Sequence, residues 1–398
     1  MSAQAVQELR SGEAVRARCN NVLEAGLRDA LTHFAVYLDR LPAAAELTAR
    51  VTRSRYPSLQ IPAHSRMAHF DAGGVPRVAA MMRELADRDA REQGRVLVDL
   101  VVASVLLDAG AGMGWRYRTT DGHEIGRSEG LAIASLDWVR SGGLSSRRQP
   151  WEVDAGGLRK VDAVELERAF QVSAANPLVG VEGRVHLMRA LGDALTARPD
   201  VFGPEARIGR LVDYLGGPRL PATRILETLL DSLQTIWPGR LSLEGTPLGD
   251  VWRHPHAGGS GLTAGLVPFH KLSQWLSFSL LHPLAVAGLE VTQLEGLTGL
   301  AEYRNGGLLI DLGVIVPKDP SVLTRAHEAS SELVVEWRAL TVALLDRLAP
   351  LVNRELGVEL SLPSVLEGGT WAAGREIARQ RREDGGPPLR IDSDGTVF

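Results

Sequence analysis

Apolar residues return at three- and four-residue spacing in one stretch after another, and prolines and glycines separate the stretches. Val15, Val22, Leu23, Leu27, Leu31, Phe34, Leu38 and Leu41 follow this spacing. It predicts an amphipathic helix between Ser2 and about Arg50, with Pro42 as its stop. Val75 to Leu107 resumes the pattern and turns nearly all apolar after Val96, so a helix there is expected at the centre of the fold. Further helical stretches are read at 129–139, 161–170, 183–196, 208–215, 222–236, 266–289 and 324–356, the last with a break near Pro350, and in EGGTWAAGREIARQRRE. Alternating strand patterns are few. The expected fold is mainly α with a few short strands, one catalytic unit over residues 1–398 with room for a helical N-terminal subdomain at 1–150.

Composition narrows the function classes. A chain of 398 residues, 44% hydrophobic and 23% charged, buries a sizeable core. Its net charge of −4 argues against nucleic acid as a partner, so any anionic ligand must be held by local arginines. The lone Cys19 rules out an internal disulfide and a cysteine-rich zinc site, and fits a reducing compartment. The first residues lack the apolar run of a signal peptide, and Val96 to Ala109 carries Asp99 and Asp108 and is too short to span a bilayer. A cytoplasmic protein with no membrane partner is expected, and a homodimer is the base-rate expectation for a helical chain of this size.

The segment Gly296 to Val316 concentrates the polar chemistry. Glu302, Tyr303, Arg304 and Asn305 arrive together, Gly306 and Gly307 interrupt the chain direction, and Leu308 to Leu312 reads as a short strand carrying Asp311 among apolar residues. A carboxylate in such company is costly unless it is paired or used. Glu302 and Asp311 are therefore expected to face one small-molecule pocket as its catalytic carboxylates. The bland alternative pairs Glu302 with Arg304 on a surface turn. Asp250, Glu367, Asp392 and Asp394 are further acids, with Asp392 read as part of a solvated DSDG turn.

Other chemistries carry less. His64, His69 and Asp71 share one loop and His254 and His256 another, but no HExxH spacing occurs, so no metal is expected. No GxxxxGK[ST] or correctly spaced GxGxxG is present, and no cofactor is called for. One GxSxG match, Gly126 to Gly130, follows the polar run TTDGHEI, a poor candidate for the strand that a nucleophile turn needs, so Ser128 is read as a helix cap. Aromatic and amide groups complete a plausible pocket: Trp252, His270, Gln274, Trp275 and Trp371 to stack on or hydrogen-bond a planar ureide or base, and Arg304 or Arg375 to hold a phosphate or sugar hydroxyl. Gly368 and Gly369 could form a tight turn at a helix N-terminus, an anion site.

SRMAHFDAGG, LLDAGAGMGWRYR, RSEGLAIASLD, FQVSAANPLVGVEGR, GDVWRH, VPFHKLSQWL, GLTGLAEYRNGGLLIDLGV, VVEWRALTV, LEGGTWAAGR and SDGTVF, in this order, resemble the uracil catabolism protein 4 family of fungi and bacteria from about Ile61 to Phe398. The resemblance implies a place in pyrimidine breakdown, with release of urea or a related ureide from ribose. AEYRNGG is also similar to the acidic-Tyr-Arg motif of queuosine-salvage nucleosidases, which implies a helical, DNA-glycosylase-like architecture; their acid is an aspartate where this chain has Glu302. Together these imply an N-ribosyl hydrolase without cofactor, acting on a ribosylated ureide or pyrimidine nucleotide. Glu302 or Asp311 would stabilise the sugar cation, and Tyr303, Arg304, Asn305, Trp371, Arg375, His270, Gln274, Trp275, Asp250, Trp252, His69, Asp71 and Asp394 would be candidate contacts. Two other classes stay open: a hydrolase of a ureide carbon–nitrogen bond, with or without metal, and a non-catalytic pyrimidine-nucleotide-binding protein.

Overall fold

The computed structural model describes residues 2–108, 110–112, 114–237 and 240–392. Helices dominate, and among the described residues the strands, two or three residues each, pair only in twos. Among the described residues no helix is long and apolar enough to cross a membrane. Among the described residues two compact units divide the chain out of sequence order: 2–64, 240–274 and 293–392 form one, and 65–237 and 275–292 the other.

The first unit holds helices α1 (Gly12–Leu27) and α2 (Leu41–Arg55) with strand β1 (Phe34–Val36) between them. The single long N-terminal helix expected from spacing is thus broken, and Pro42 starts a helix instead of ending one. Proline is tolerated in a first turn because its missing N–H has no intrahelical partner there. Strand β4 (Val251–Arg253) pairs antiparallel with β5 (Leu266–Pro268) in the register Val251 to Pro268. After them come α7 (Tyr303–Asp311), β6 (Ile315–Pro317), which pairs with β1, then α8 (Glu332–Leu356) and α9 (Trp371–Arg381). Leu308 to Asp311 is therefore helical, with Leu312 at its C-terminal end: Gly306 and Gly307 permit close packing and do not turn the chain. A Cβ on Gly306 would lie 2.6 Å from the Trp337 indole. Helix α8 runs unbroken through Pro350, is buried along most of its length and packs on α1 and α2.

The second unit is built on α3 (Ala90–Leu106), capped by the Asp89 carboxylate and buried from Val96 onward as its apolar run requires. A hairpin of β2 (Arg116–Arg118) and β3 (Glu124–Gly126) leads into α4 (Arg127–Arg140), which packs on α3; α5 (Val181–Ala197) lies further along. Asp99, wholly buried on α3, accepts from Arg207 Nε at 2.7 Å and the Gly209 N–H at 2.6 Å. Burial nevertheless pushes its carboxyl up to about 7. The division between the units falls within α6 (Lys271–Val286).

Candidate active site

Helix α7 begins where Glu302 leaves extended backbone and folds its carboxylate onto the helix start. Oε2 accepts the Arg304 N–H at 2.7 Å and Oε1 the Asn305 N–H at 2.6 Å, so the acid satisfies two donors that every helix leaves open. Burial pushes Glu302 above the ordinary glutamate range, and those two amides with the charges of Lys271 and Arg304 pull it only part of the way back. The segment before it is tied by amides. Thr298 N–H donates to Gln274 Oε1 at 3.3 Å and Asn305 Nδ2 to the Leu300 carbonyl at 3.4 Å. Among the described residues Gln274 Nε2 and Asn305 Oδ1 remain buried without a partner, each at a cost of about 1–3 kcal/mol.

Asp311 ends the same helix. Both its oxygens meet Arg382, at 2.7 and 2.5 Å. Nine residues of helix put the two acids roughly 13 Å apart along the axis, beyond the ~5–9.5 Å that paired carboxylates use across a glycosidic bond. The expectation that Glu302 and Asp311 share one pocket as a catalytic pair is corrected: they point from opposite ends of one helix, and Asp311 is a clamp on Arg382.

A second acid takes its place near the site. Leu366–Thr370 forms a π-helical turn between the short helix Leu362–Val365 and α9, so Gly368 and Gly369 lie inside continuous helix and not in the tight turn expected at a helix start. A Cβ on Gly369 would lie within 2.4–2.6 Å of Thr48 and Thr52, so these glycines let the turn press against α2. Glu367, buried in this turn, accepts from Tyr56 Oη at 2.9 Å and Arg55 Nη2 at 3.2 Å, and lies 2.8 Å from His64 Nδ1. Burial would push its carboxyl up, but His64, Tyr56 and Arg55 together hold it at about 2. The same burial, with the Glu367 charge, pushes Tyr56 up to about 12.

Helices α7 and α9 meet at Gly374, where an added Cβ would stand 2.2 Å from the Arg304 carbonyl oxygen. This close approach sets the first turn of α9 beside the first turn of α7. Trp371 opens α9 half-buried, with the Arg375 guanidinium 4.3 Å over its ring and the His64 ring 6.2 Å away. Arg304 is buried, donates to the Gly385 carbonyl at 2.9 Å and stacks 4.9 Å over the half-buried Tyr303, and its Nε has no partner among the described residues.

The remaining expected contacts divide. Asp250 takes both Arg338 terminal nitrogens at 2.7 and 2.8 Å, Trp252 Nε1 at 2.6 Å and the Lys271 N–H at 3.0 Å. Burial would raise its carboxyl, yet Arg338 and these donors hold it well below the usual carboxylate range. His270 donates Nε2–H to the Leu9 carbonyl at 2.9 Å and burial pushes its imidazole down, so it stays neutral at physiological pH. These residues brace the start of α6, where Lys271 and Gln274 sit. His69 and Trp275, with rings 5.8 Å apart, belong to the second unit. Asp71 Oδ1 accepts the Val78 N–H at 2.8 Å as a turn cap. Asp394 lies outside the described residues.

His254, Glu332 and Glu336 bring ligand-type atoms within 4.8 Å of one another. His254 Nδ1 accepts the His256 N–H at 3.2 Å, which puts the imidazole proton on Nε2, 3.3 Å from Glu336 Oε2. A metal-ligating histidine needs the reverse tautomer, its outer nitrogen donating, so this trio is better suited to a hydrogen-bonded tie. Arg55, Tyr56, His64 and Lys271 join the site without a sequence motif that marks them as contacts. His64 and Glu367 are 303 residues apart, and only their separate placement in polar stretches hints at the pair.

The profile of the family described as "Protein of unknown function (DUF1688)" matches residues 8–398. "Uracil catabolism protein 4" of Lachancea kluyveri is 40% identical over 404 residues, covering 92% of each chain. "Protein urg3" of Schizosaccharomyces pombe is 40% identical over 415 residues, covering 100% of each. The chain therefore belongs to the DUF1688 family.

Proposed function

We propose that this chain acts in uracil catabolism by hydrolysing the N-ribosyl bond of a ribosylurea-type compound, with Glu302 as the catalytic carboxylate. The observation that carries the reading is a buried acid of raised proton affinity at a helix start, beside the half-buried Trp371 and Arg375. The printed name of the Lachancea kluyveri relative supports the pathway.

As the bond from the sugar carbon to nitrogen stretches, positive charge grows on the sugar, and the Glu302 carboxylate opposes it. Its raised proton affinity also suits it to take a proton from the attacking water. The Lys271 ammonium, whose charge acts on Glu302, supplies the proton that the departing nitrogen needs. Trp371 under the Arg375 guanidinium gives a flat face for a planar ureide. Water and ribosylurea thus yield ribose and urea. The test is mass-spectrometric product analysis with ribosylurea and its 5′-phosphate: urea with ribose or ribose phosphate supports the reading, whereas ammonia with the ribosyl bond intact refutes it.

A further inference from the structure

Three stretches of the second unit, Ser65–Gly74, residues 104–108 and Arg127–Asp137, meet at one polar cluster centred on Ser128. Arg66, wholly buried, donates through Nε to Ser104 Oγ at 2.7 Å and through Nη1 to Asp108 Oδ1 at 2.7 Å and Ser128 Oγ at 3.0 Å. Ser128 Oγ lies 2.7 and 2.8 Å from the two Asp108 oxygens and 3.1 Å from His69 Nδ1. The same Nδ1 is 3.4 Å from Arg66 Nη1. A guanidinium only donates, so Nδ1 is an acceptor. The hydroxyl's single proton therefore faces two bases, while a buried cation donates to its oxygen. The Arg66 cation lowers the cost of negative charge on Oγ, while Asp108 and His69 stand placed to take the proton.

The backbone fits the same role. Strand β3 ends at Gly126, Arg127 has φ 56° and α4 follows at once, so the polar run before Ser128 does form the strand. A Cβ on Gly130 would stand 2.3 Å from the Ile125 carbonyl oxygen and one on Gly126 3.0 Å from that of Trp115. Gly130 is thus required by close strand–helix packing, as in a nucleophile turn, and Gly126 lies close against β2, although the left-handed residue here precedes the serine. Ser128 lies inside α4 and does not cap it. Ser128 and Asp108 are both partly exposed.

We propose that Ser128 is a nucleophilic hydroxyl for acyl or carbamoyl transfer, independent of the Glu302 reaction. Asp108 takes the hydroxyl proton, with His69 Nδ1 beside it, as Oγ bonds the carbonyl carbon. The leaving amine or alcohol departs with that proton, and water then hydrolyses the acyl-serine to free acid and regenerated hydroxyl. The test is labelling of the full chain with an alkyl fluorophosphonate, read by intact mass and peptide mapping. Wild type and Glu302→Gln are expected to gain one adduct on Ser128, with Asp108→Asn slowed at least about 100-fold. Ser128→Ala is expected to gain none; should it not fold, mapping of the wild type decides. Absence of a Ser128 adduct under conditions that fully label chymotrypsin, or Asp108→Asn labelling as fast as wild type, overturns the proposal. Because Glu302→Gln is included, failure here is separable from failure of the ribosyl reaction.

Discussion

Glu302 and Asp311 occupy opposite ends of one nine-residue helix, the first capping its amides and the second clamped by Arg382. Their substitutions should therefore separate stability from turnover. Asp311→Asn breaks a mostly buried, two-point ion pair and is expected to lower stability by about 2–3 kcal/mol while turnover per folded molecule holds. Thermal melting alongside ribosylurea turnover checks it; a large loss of turnover without a loss of stability would return Asp311 to the chemistry.

Glu367 and Glu302 should contribute to acid stability with opposite signs. Glu367 is depressed from an ordinary 4.5 to about 2, so its contribution is complete above pH 4.5 and disappears as pH falls through about 2. Glu302 is raised, so its contribution is present below pH 4.5 and is lost as pH rises through its folded value. Glu367→Gln is expected to lower the melting temperature at pH 7, by an amount that shrinks as pH drops from 5 toward 3. A pH-independent difference would show that the charge of Glu367 does not hold this cluster together.

If the Glu302 carboxylate must be ionised to work, the acid limb of turnover should lie above the ordinary glutamate range, because burial raises this group. Asp311→Asn should leave that limb where it is. A pH–rate profile of both proteins decides, and a limb at or below pH 4.5 would assign the titration to another group.

Gly374→Ala places a methyl 2.2 Å from the Arg304 carbonyl oxygen, an atom that cannot swing away. The helices must part, at a cost of about 1–3 kcal/mol, and turnover should fall with them as Trp371 moves from the start of α7. Equal stability and turnover in wild type and variant would show that this crossing does not position the site.

The helical fold was legible because apolar spacing is a local property, read within a few turns of chain. Its punctuation was less so: Pro42 suits a first turn as well as it stops a helix, and only the strand at Phe34–Val36 reveals which. Within Gly296–Val316 the importance of Glu302 could be read from polarity amid apolar neighbours. Its separation from Asp311 could not, since five apolar-rich residues fit a strand or a helix equally and the two period choices put Asp311 in different places. Glu367 with His64, Tyr56 and Arg55 is a contact across more than 300 residues, which no local pattern encodes. The polar run TTDGHEI gives no sequence signal of a strand before Ser128. That strand is only three residues long, is stabilised by its pairing with Arg116–Arg118, and carries no propensity signal of its own.

The most direct test of the central claim is urea release from ribosylurea by wild type, Glu302→Gln and Asp311→Asn, each verified as folded. The account expects wild type and Asp311→Asn to release urea and ribose at similar rates per folded molecule, and Glu302→Gln to lose at least about 100-fold. Release by Glu302→Gln at the wild-type rate would contradict it.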